Sequence, residues 1–207
     1  MTCYHPYPDD KGRPVVIRTP SLPTPLEHWR QAGQSATVLP QGDMPPALAG
    51  IAFTPWRDVP ADDQAWAMVP GQAAIEEQPF ILPPGKAAAA GVVIEEDDGR
   101  IWLVAPSNQF GGYQATFPKG RVEAGFSLQA SAIREAFEES GLQVVITGFL
   151  ADSSRSQTFT RYYRARRVGG TPSAMGWETQ AVHLVPRAQL AAFATHANDQ
   201  PLIALLA

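Results

Sequence analysis

The chain has a single cysteine, Cys3, in 207 residues, so no internal disulfide is available and nothing ties the fold to an oxidising compartment. It has no excess of positive charge either. Sixteen Lys and Arg against 20 Asp and Glu leave a net charge of -4, which argues against the domain-wide basic footprint of a general nucleic-acid or membrane-surface binder. Any polyanion must be gripped locally. No apolar run approaches the ~20 residues of a membrane span, and the opening MTCYHPYPDDKGRP lacks the apolar core of a secretion signal. The expectation is a cytoplasmic protein with no membrane or nucleic-acid partner. The four histidines, His5, His28, His183 and His196, show no metal-ligand spacing. His183, inside an apolar strand, reads as a satisfied core residue rather than a catalyst.

Proline is plentiful but unevenly placed: 15 of the 20 lie before residue 86. Proline fixes its own torsion, removes a donor and biases its predecessor toward extended structure, so long regular elements are not expected there. Residues 1–85 nevertheless carry Trp29, Phe53, Trp56, Trp66 and Phe80, more large rings than a disordered linker leaves in water. They read as an arm packed on its own domain or on the partner of a homodimer.

From Lys86 the pattern changes to an α/β alternation. AAAAGVVIEE and RIWLVAPS, joined by an acidic turn ending at Gly99, read as a hairpin. YQATF reads as a third short strand. Ser127 is placed to cap a helix with apolar residues at Leu128, Ala132, Ile133 and Ala136, and Gly141 to end it in the left-handed conformation. LQVVITGFLA, TFTRYYRARRV and QAVHLVP read as further strands. RAQLAAFATH and DQPLIALLA read as short closing helices, the second with Asp199 as its cap.

The helix after Ser127 crowds Glu135, Glu138 and Glu139 onto one face, since each residue advances about 100°. Like charges three and four apart cost a few tenths of a kcal/mol per pair unless a cation sits over them. Arg134 can pair with Glu138 and offsets part of that cost. A solvated acidic face is the plain alternative. The preceding FPKG and glycine loop, however, bring backbone oxygens toward the same face, an oxygen-rich setting suited to Mg²⁺ or Mn²⁺.

Residues 120–142, GRVEAGFSLQASAIREAFEESGL, resemble the Nudix box: Gly, five residues, Glu, seven residues, then Arg-Glu-apolar-any-Glu-Glu-any-Gly-apolar. Gly120, Arg134, Glu135, Ala136, Glu138, Glu139, Gly141 and Leu142 fall in register, and Phe126 stands where the first glutamate belongs. The resemblance covers residues 86–207 and implies an α/β/α sandwich with a mixed β-sheet, preceded by the proline-rich arm. It implies cleavage of a nucleoside diphosphate linked to another group by water attacking phosphorus, with Mg²⁺ or Mn²⁺ as cofactor. Glu135, Glu138 and Glu139 would be metal ligands or, in one case, orient the water. Gly120 would offer its carbonyl oxygen, and Arg134 would hold a carboxylate in place. Glu178, before the last strand, is the candidate further ligand or base. Phe126 implies fewer bound cations or a slower enzyme, with Glu123 as a replacement or with Phe126 simply packing under the helix start.

FPKGRVE resembles members that act on diadenosine or diphosphoinositol polyphosphates. ADP-ribose, nucleotide sugars and a non-catalytic nucleotide-sensing module are the alternatives. Lys119 supplies a point charge for a phosphate chain. Arg155, Arg161 and Arg164 are candidate phosphate ligands, and Tyr162 a candidate for stacking on a base. On a strand, Arg161, Tyr163 and Arg167 face one side and Tyr162, Arg164 and Arg166 the other, so at most half can line one site.

Overall fold

A computed structural model describes residues 2–206 of the chain. In chain order the strands and helices are β1 (Cys3–Tyr4), β2 (Val16–Ile17), β3 (Ala36–Val38), β4 (Ala47–Leu48), β5 (Ile51–Ala52), α1 (Asp63–Ala67), β6 (Ala87–Glu95) and β7 (Arg100–Pro106). They continue as β8 (Lys119–Arg121), α2 (Leu128–Ser140), β9 (Leu142–Ser154), β10 (Thr158–Gly170), β11 (Thr179–Pro186), α3 (Leu190–Phe193) and α4 (Gln200–Leu206).

The central sheet has seven strands in the order β3-β11-β7-β6-β10-β9, with β8 against β6. β6 and β10 run parallel; the other pairings are antiparallel, so the sheet is mixed. Side chains alternate across it. Val92, Ile94, Trp102, Val104 and Tyr163 point into a layer shared with α2 and the arm; Val93, Ile101, Leu103 and Tyr162 point into a layer closed by α3 and α4. Helices on both faces make an α/β/α sandwich.

The acidic helix is bounded as its ends imply. Ser127 Oγ accepts from the Ala130 backbone N–H at 2.9 Å, and Gly141 takes φ 69° while its N–H donates to Phe137 O at 2.7 Å. A Cβ at Gly141 would run into the Thr171 carbonyl, so both torsion and space demand glycine here.

Three expectations are corrected. YQATF forms a single bridge, Thr116 to Val104, and the paired segment is Lys119–Arg121 instead. Pro118 cannot donate and separates the two stretches, though its carbonyl accepts from Val92. Asp199 does not cap α4, because its carboxylate is fully buried in an ion pair with Arg155 at 2.7 Å. RAQLAAFATH gives a 3₁₀ turn and a four-residue helix, not one continuous helix.

The arm packs on its own chain. β3 extends the sheet by pairing with β11, and Trp29 is completely buried beside Trp102 and Phe53, with centroids 5.8 and 5.9 Å away. Trp56 and Trp66 meet Phe137 of α2, and Phe80 meets Phe159 of β10. Buried arginines of the domain fasten the arm through its backbone. Arg100 donates to the carbonyls of Trp29 (2.7 Å) and His28 (3.1 Å), and Arg167 to that of Leu48 (3.0 Å). Irregular, proline-rich backbone leaves carbonyls without ladder partners, and a guanidinium with five donors satisfies several at once. Arg167 is neutralised by Glu96 at 2.6 Å, whose same oxygen accepts from Trp102 Nε1 at 2.8 Å. No helix among the described residues is long and apolar enough to cross a membrane.

Candidate functional site

The site forms where β8 passes over the outward face of α2. β8 pairs with the middle of β6, which places Gly120 opposite Ala90 and lays its backbone against the helix. A Cβ on Gly120 would overlap the Glu135 carboxylate, so only glycine lets strand and carboxylate approach this closely. The Lys119 backbone N–H donates to Glu139 Oε2 at 2.9 Å. Glu138, one side further round the helix, keeps a side-chain exposure of 45% and is held by Arg134 Nε at 2.7 Å.

A loop after β10 completes the arrangement. The Gly176 N–H donates to the Glu138 carbonyl at 2.9 Å, while Ser107 binds the carbonyls of Trp177 (2.6 Å) and Glu178 (2.8 Å). These bonds bring Glu178 into the field of the helix carboxylates. Asp10, from the turn between β1 and β2, accepts from Trp177 Nε1 at 3.0 Å and adds another negative charge.

The electrostatics reflect this crowding. Burial, then the charges of Glu139, Glu138 and Glu178, push the Glu135 carboxyl up to about 9. Glu139 is raised to about 7, again chiefly by burial, with Lys119 pulling the other way. Glu178 is raised by enclosure and then by Asp10 and Glu138. Lys119 is lowered by enclosure, against the attraction of Glu139. Such a face holds more carboxylates than its own cations neutralise at neutral pH.

Among the described residues no three acidic, histidine or cysteine side chains close on one metal-sized point. The helix carboxylates stand side by side against the β8 backbone. The donor chemistry nevertheless fits a hard divalent cation: every nearby donor is oxygen, the carboxylates repel one another, and the Gly120 cradle leaves backbone beside Glu135. Glu135, Glu138, Glu139 and the Gly120 carbonyl are the groups able to hold Mg²⁺ or Mn²⁺.

Of the other residues singled out from the sequence, Lys119 belongs to this site, with Nζ 5.2 Å from the centroid of the Tyr113 ring. Arg155, Arg161 and Tyr162 do not line it. Arg155 lies beneath it, 6% exposed, donating to Tyr113 Oη (2.7 Å), Tyr162 Oη (2.6 Å) and Asp199. Tyr162 is completely buried, with no ring face free to stack on a base. Arg161 is gripped by Asp152 (2.8 Å) and Glu77 (3.0 Å) and anchors the arm. Charge needs a partner once buried, and these groups found theirs inside the protein. Arg164 is partly exposed and faces Glu95 at 3.9 Å, on the opposite side of β10 from Tyr163. Phe126 packs partly buried against the core beside Arg134. Glu123 does not turn inward to replace the missing glutamate; it stays exposed and ion-pairs with Arg134 at 3.2 Å.

Sequence reading missed Tyr113, Asp10 and the buried role of Asp199. Tyr113 and Asp199 share Arg155 as a partner, and Asp10 reaches Trp177 across 167 positions, with no local spacing to mark either.

Comparison with known proteins accords with this geometry. The family model described as NUDIX domain matches residues 85–206, more than half of the chain. An RNA pyrophosphohydrolase of Caulobacter vibrioides is 35% identical over 92 residues, covering 44% of this chain and 50% of that protein. A putative mutator protein MutT4 of Mycobacterium tuberculosis is 27% identical over 128 residues, covering 56% of this chain and 52% of the relative. The chain thus spans about half the length of the curated relatives it matches. Among solved structures, a NUDIX hydrolase from Nitrosomonas europaea is 21% identical with a TM-score of 0.48, covering 60% of this chain and 72% of the other. A box of glutamates on α2, a glycine strand laid against it and the match across residues 85–206 converge on one assignment: the chain belongs to the Nudix family.

Proposed function

We propose that the protein hydrolyses a phosphoanhydride bond in a nucleoside diphosphate linked to another group, with Mg²⁺ or Mn²⁺, and favours polyphosphate-rich substrates of the diadenosine or diphosphoinositol polyphosphate type. The observation that carries this reading is the set of crowded, mutually repelling carboxylates packed on the Gly120 backbone, with a single lysine, Lys119, beside them. A bound divalent cation would neutralise charge on the phosphoryl oxygens and lower the pKa of a coordinated water. Glu135, Glu138, Glu139 and the Gly120 carbonyl would hold it. Arg134 holds Glu138 through their ion pair.

The remaining steps fall to this chain's own side chains. Lys119, already set among opposite charges, offers Nζ to a phosphate of the bound chain and balances charge that accumulates there. Glu178 is the base. Its raised pKa makes it a stronger base, which accepts a proton from water while the water oxygen bonds to phosphorus and the bridging P–O bond breaks. The leaving phosphate or phosphoester carries away the electron pair of that bond.

A second reading has one observation behind it: the relative from Caulobacter vibrioides is named an RNA pyrophosphohydrolase. An RNA 5′ end carrying a phosphoanhydride is then the substrate. The net charge of -4 favours the small molecule, since a long RNA backbone would meet little positive surface.

A hydrolysis screen with Mg²⁺ and with Mn²⁺ tests both. Its panel comprises diadenosine polyphosphates, diphosphoinositol polyphosphates, ADP-ribose, nucleotide sugars, nucleoside triphosphates and a 5′-triphosphorylated RNA, with products separated by chromatography. Cleavage of the dinucleotide or inositol substrates is the expected result. Cleavage of RNA alone favours the second reading. Silence across the panel from the folded protein refutes hydrolysis and leaves a nucleotide-sensing module.

A further inference from the structure

The arm reaches the acidic helix at one charged side chain, Arg134. Its Nε donates to Glu138 at 2.7 Å, and its Nη1 pairs with Glu123 at 3.2 Å and with Asp63 at 3.6 Å. The guanidinium carbon also lies 5.9 Å from the Trp66 ring centroid and 5.4 Å from that of Phe126. Asp63 and Trp66 stand three positions apart on α1, so one turn of a short arm helix delivers both. Asp62 fixes where that helix begins, its Oδ1 accepting from the Ala65 N–H at 2.8 Å. Trp66 is buried in turn, between Trp56 (5.8 Å, edge-on) and Phe137 of α2 (6.0 Å).

A guanidinium is bound best when carboxylates meet its N–H edge and aromatic faces cover its plane. Arg134 has both, and two of its five partners, Asp63 and Trp66, come from residues outside the matched domain. Glu138 is the most exposed of the three box glutamates. Without a fixed partner its side chain would sample several rotamers and lose that freedom only on binding a cation. Position 126, where the box has its first glutamate, contributes a ring to Arg134 instead of a charge.

Resting on the reading of the acidic face as the cation site, we propose that the arm is part of that site: Trp66 and Asp63 of α1, with Phe126, clamp Arg134 and thereby hold Glu138 in position for the cation. The arm's contribution at this point is specific. Trp56 belongs to the same aromatic cluster, touching Trp66 and Phe137, but makes no contact with Arg134 of this kind. All of these are positioning residues, none of which touches the substrate.

The test is Mn²⁺ binding alone, followed by electron paramagnetic resonance on the full chain, with thermal melts on every variant in chelator. Trp66→Leu is expected to weaken Mn²⁺ binding ~10-fold, the lower end of the loss seen when a group supporting a metal ligand is removed. Trp66→Phe keeps a ring and retains most of the affinity. Trp56→Leu lowers the Tm and leaves Mn²⁺ affinity near that of the wild type.

Should Trp66→Leu fail to fold, Asp63→Lys tests the same clamp at a side chain with 79% exposure, where repulsion of Arg134 weakens Mn²⁺ binding in a salt-sensitive way. Unchanged affinity in a folded Trp66→Leu or in Asp63→Lys overturns the clamp, as does equal weakening by Trp66→Leu and Trp56→Leu. Absence of saturable Mn²⁺ binding in the wild-type chain overturns the cation-site reading itself, and the clamp with it.

Discussion

Replacing Glu135 by glutamine removes one ionisable group from the acidic face while keeping its size, which separates what the face costs the fold from what it does for a cation. The folded carboxyl is raised from 4.5 to about 9, so the folded chain retains a proton that the unfolded chain releases. Because the folded value is the higher one, the stabilising protonated form is fully present below about pH 4.5. Stability then falls as pH rises toward about 9. Within that window one proton is worth about 1.4 kcal/mol per pH unit. In chelator, the wild type is therefore less stable than Glu135→Gln by at most roughly 3 kcal/mol at pH 7 and roughly 5 kcal/mol at pH 8.5, with sharing of the proton by Glu139 reducing both. For a chain of this size about 2–4 °C accompanies each kcal/mol, so the glutamine variant should melt higher at pH 7, by at most ~6–12 °C. Saturating Mg²⁺ should narrow or reverse the order, since only the wild type gains the full binding free energy. Calorimetric melts at pH 6, 7 and 8.5, with EDTA and with Mg²⁺, make the comparison. A glutamine variant less stable than the wild type in EDTA at pH 8.5, or a gap that does not widen with pH, would refute the electrostatic account of the face.

Other outcomes follow from the same geometry. Glu138→Gln should abolish Mn²⁺ binding and turnover while changing stability by no more than about 0.5 kcal/mol, as for a largely exposed side chain; unchanged turnover removes Glu138 from the site. Binding of Mg²⁺ or Mn²⁺ at pH 7 should release roughly one proton per cation, because ligands that hold protons in the free chain must give them up. Calorimetric titration in two buffers of different ionisation enthalpy measures this, and identical heats would contradict it. Lys119→Met should raise KM for the substrate ~10-fold or more with a smaller effect on Mn²⁺ affinity; an unchanged KM would show that Lys119 does not meet the phosphate chain. Asp199→Asn leaves the buried Arg155 charge uncompensated and should cost about 3–5 kcal/mol in urea unfolding, with a loss below 1 kcal/mol excluding a structural role for that pair.

What the sequence determined by itself was whatever depends on near neighbours along the chain. Ser127 and Gly141 mark the ends of α2 because capping and left-handed turns are local events, and the spacing of Glu135, Glu138 and Glu139 puts them on one face of any helix that forms. Strands β6, β7, β10 and β11 were legible for the same reason, and in β10 so were the sides taken by Tyr162 and Tyr163. Tertiary structure decided which charges face solvent, substrate or protein. Arg155, Arg161 and Arg167 look alike in the string RSQTFTRYYRARR, yet each is buried against a carboxylate, Asp199, Asp152 or Glu96, supplied from a distant element. The arm's role was equally hidden, because proline-rich backbone has no period to read and its partners are the guanidinium donors and ring faces of a surface assembled only on folding. A helix face is set by an angle per residue; the neighbour across it is set by where the rest of the chain can pack without leaving a charge or a donor unpaired.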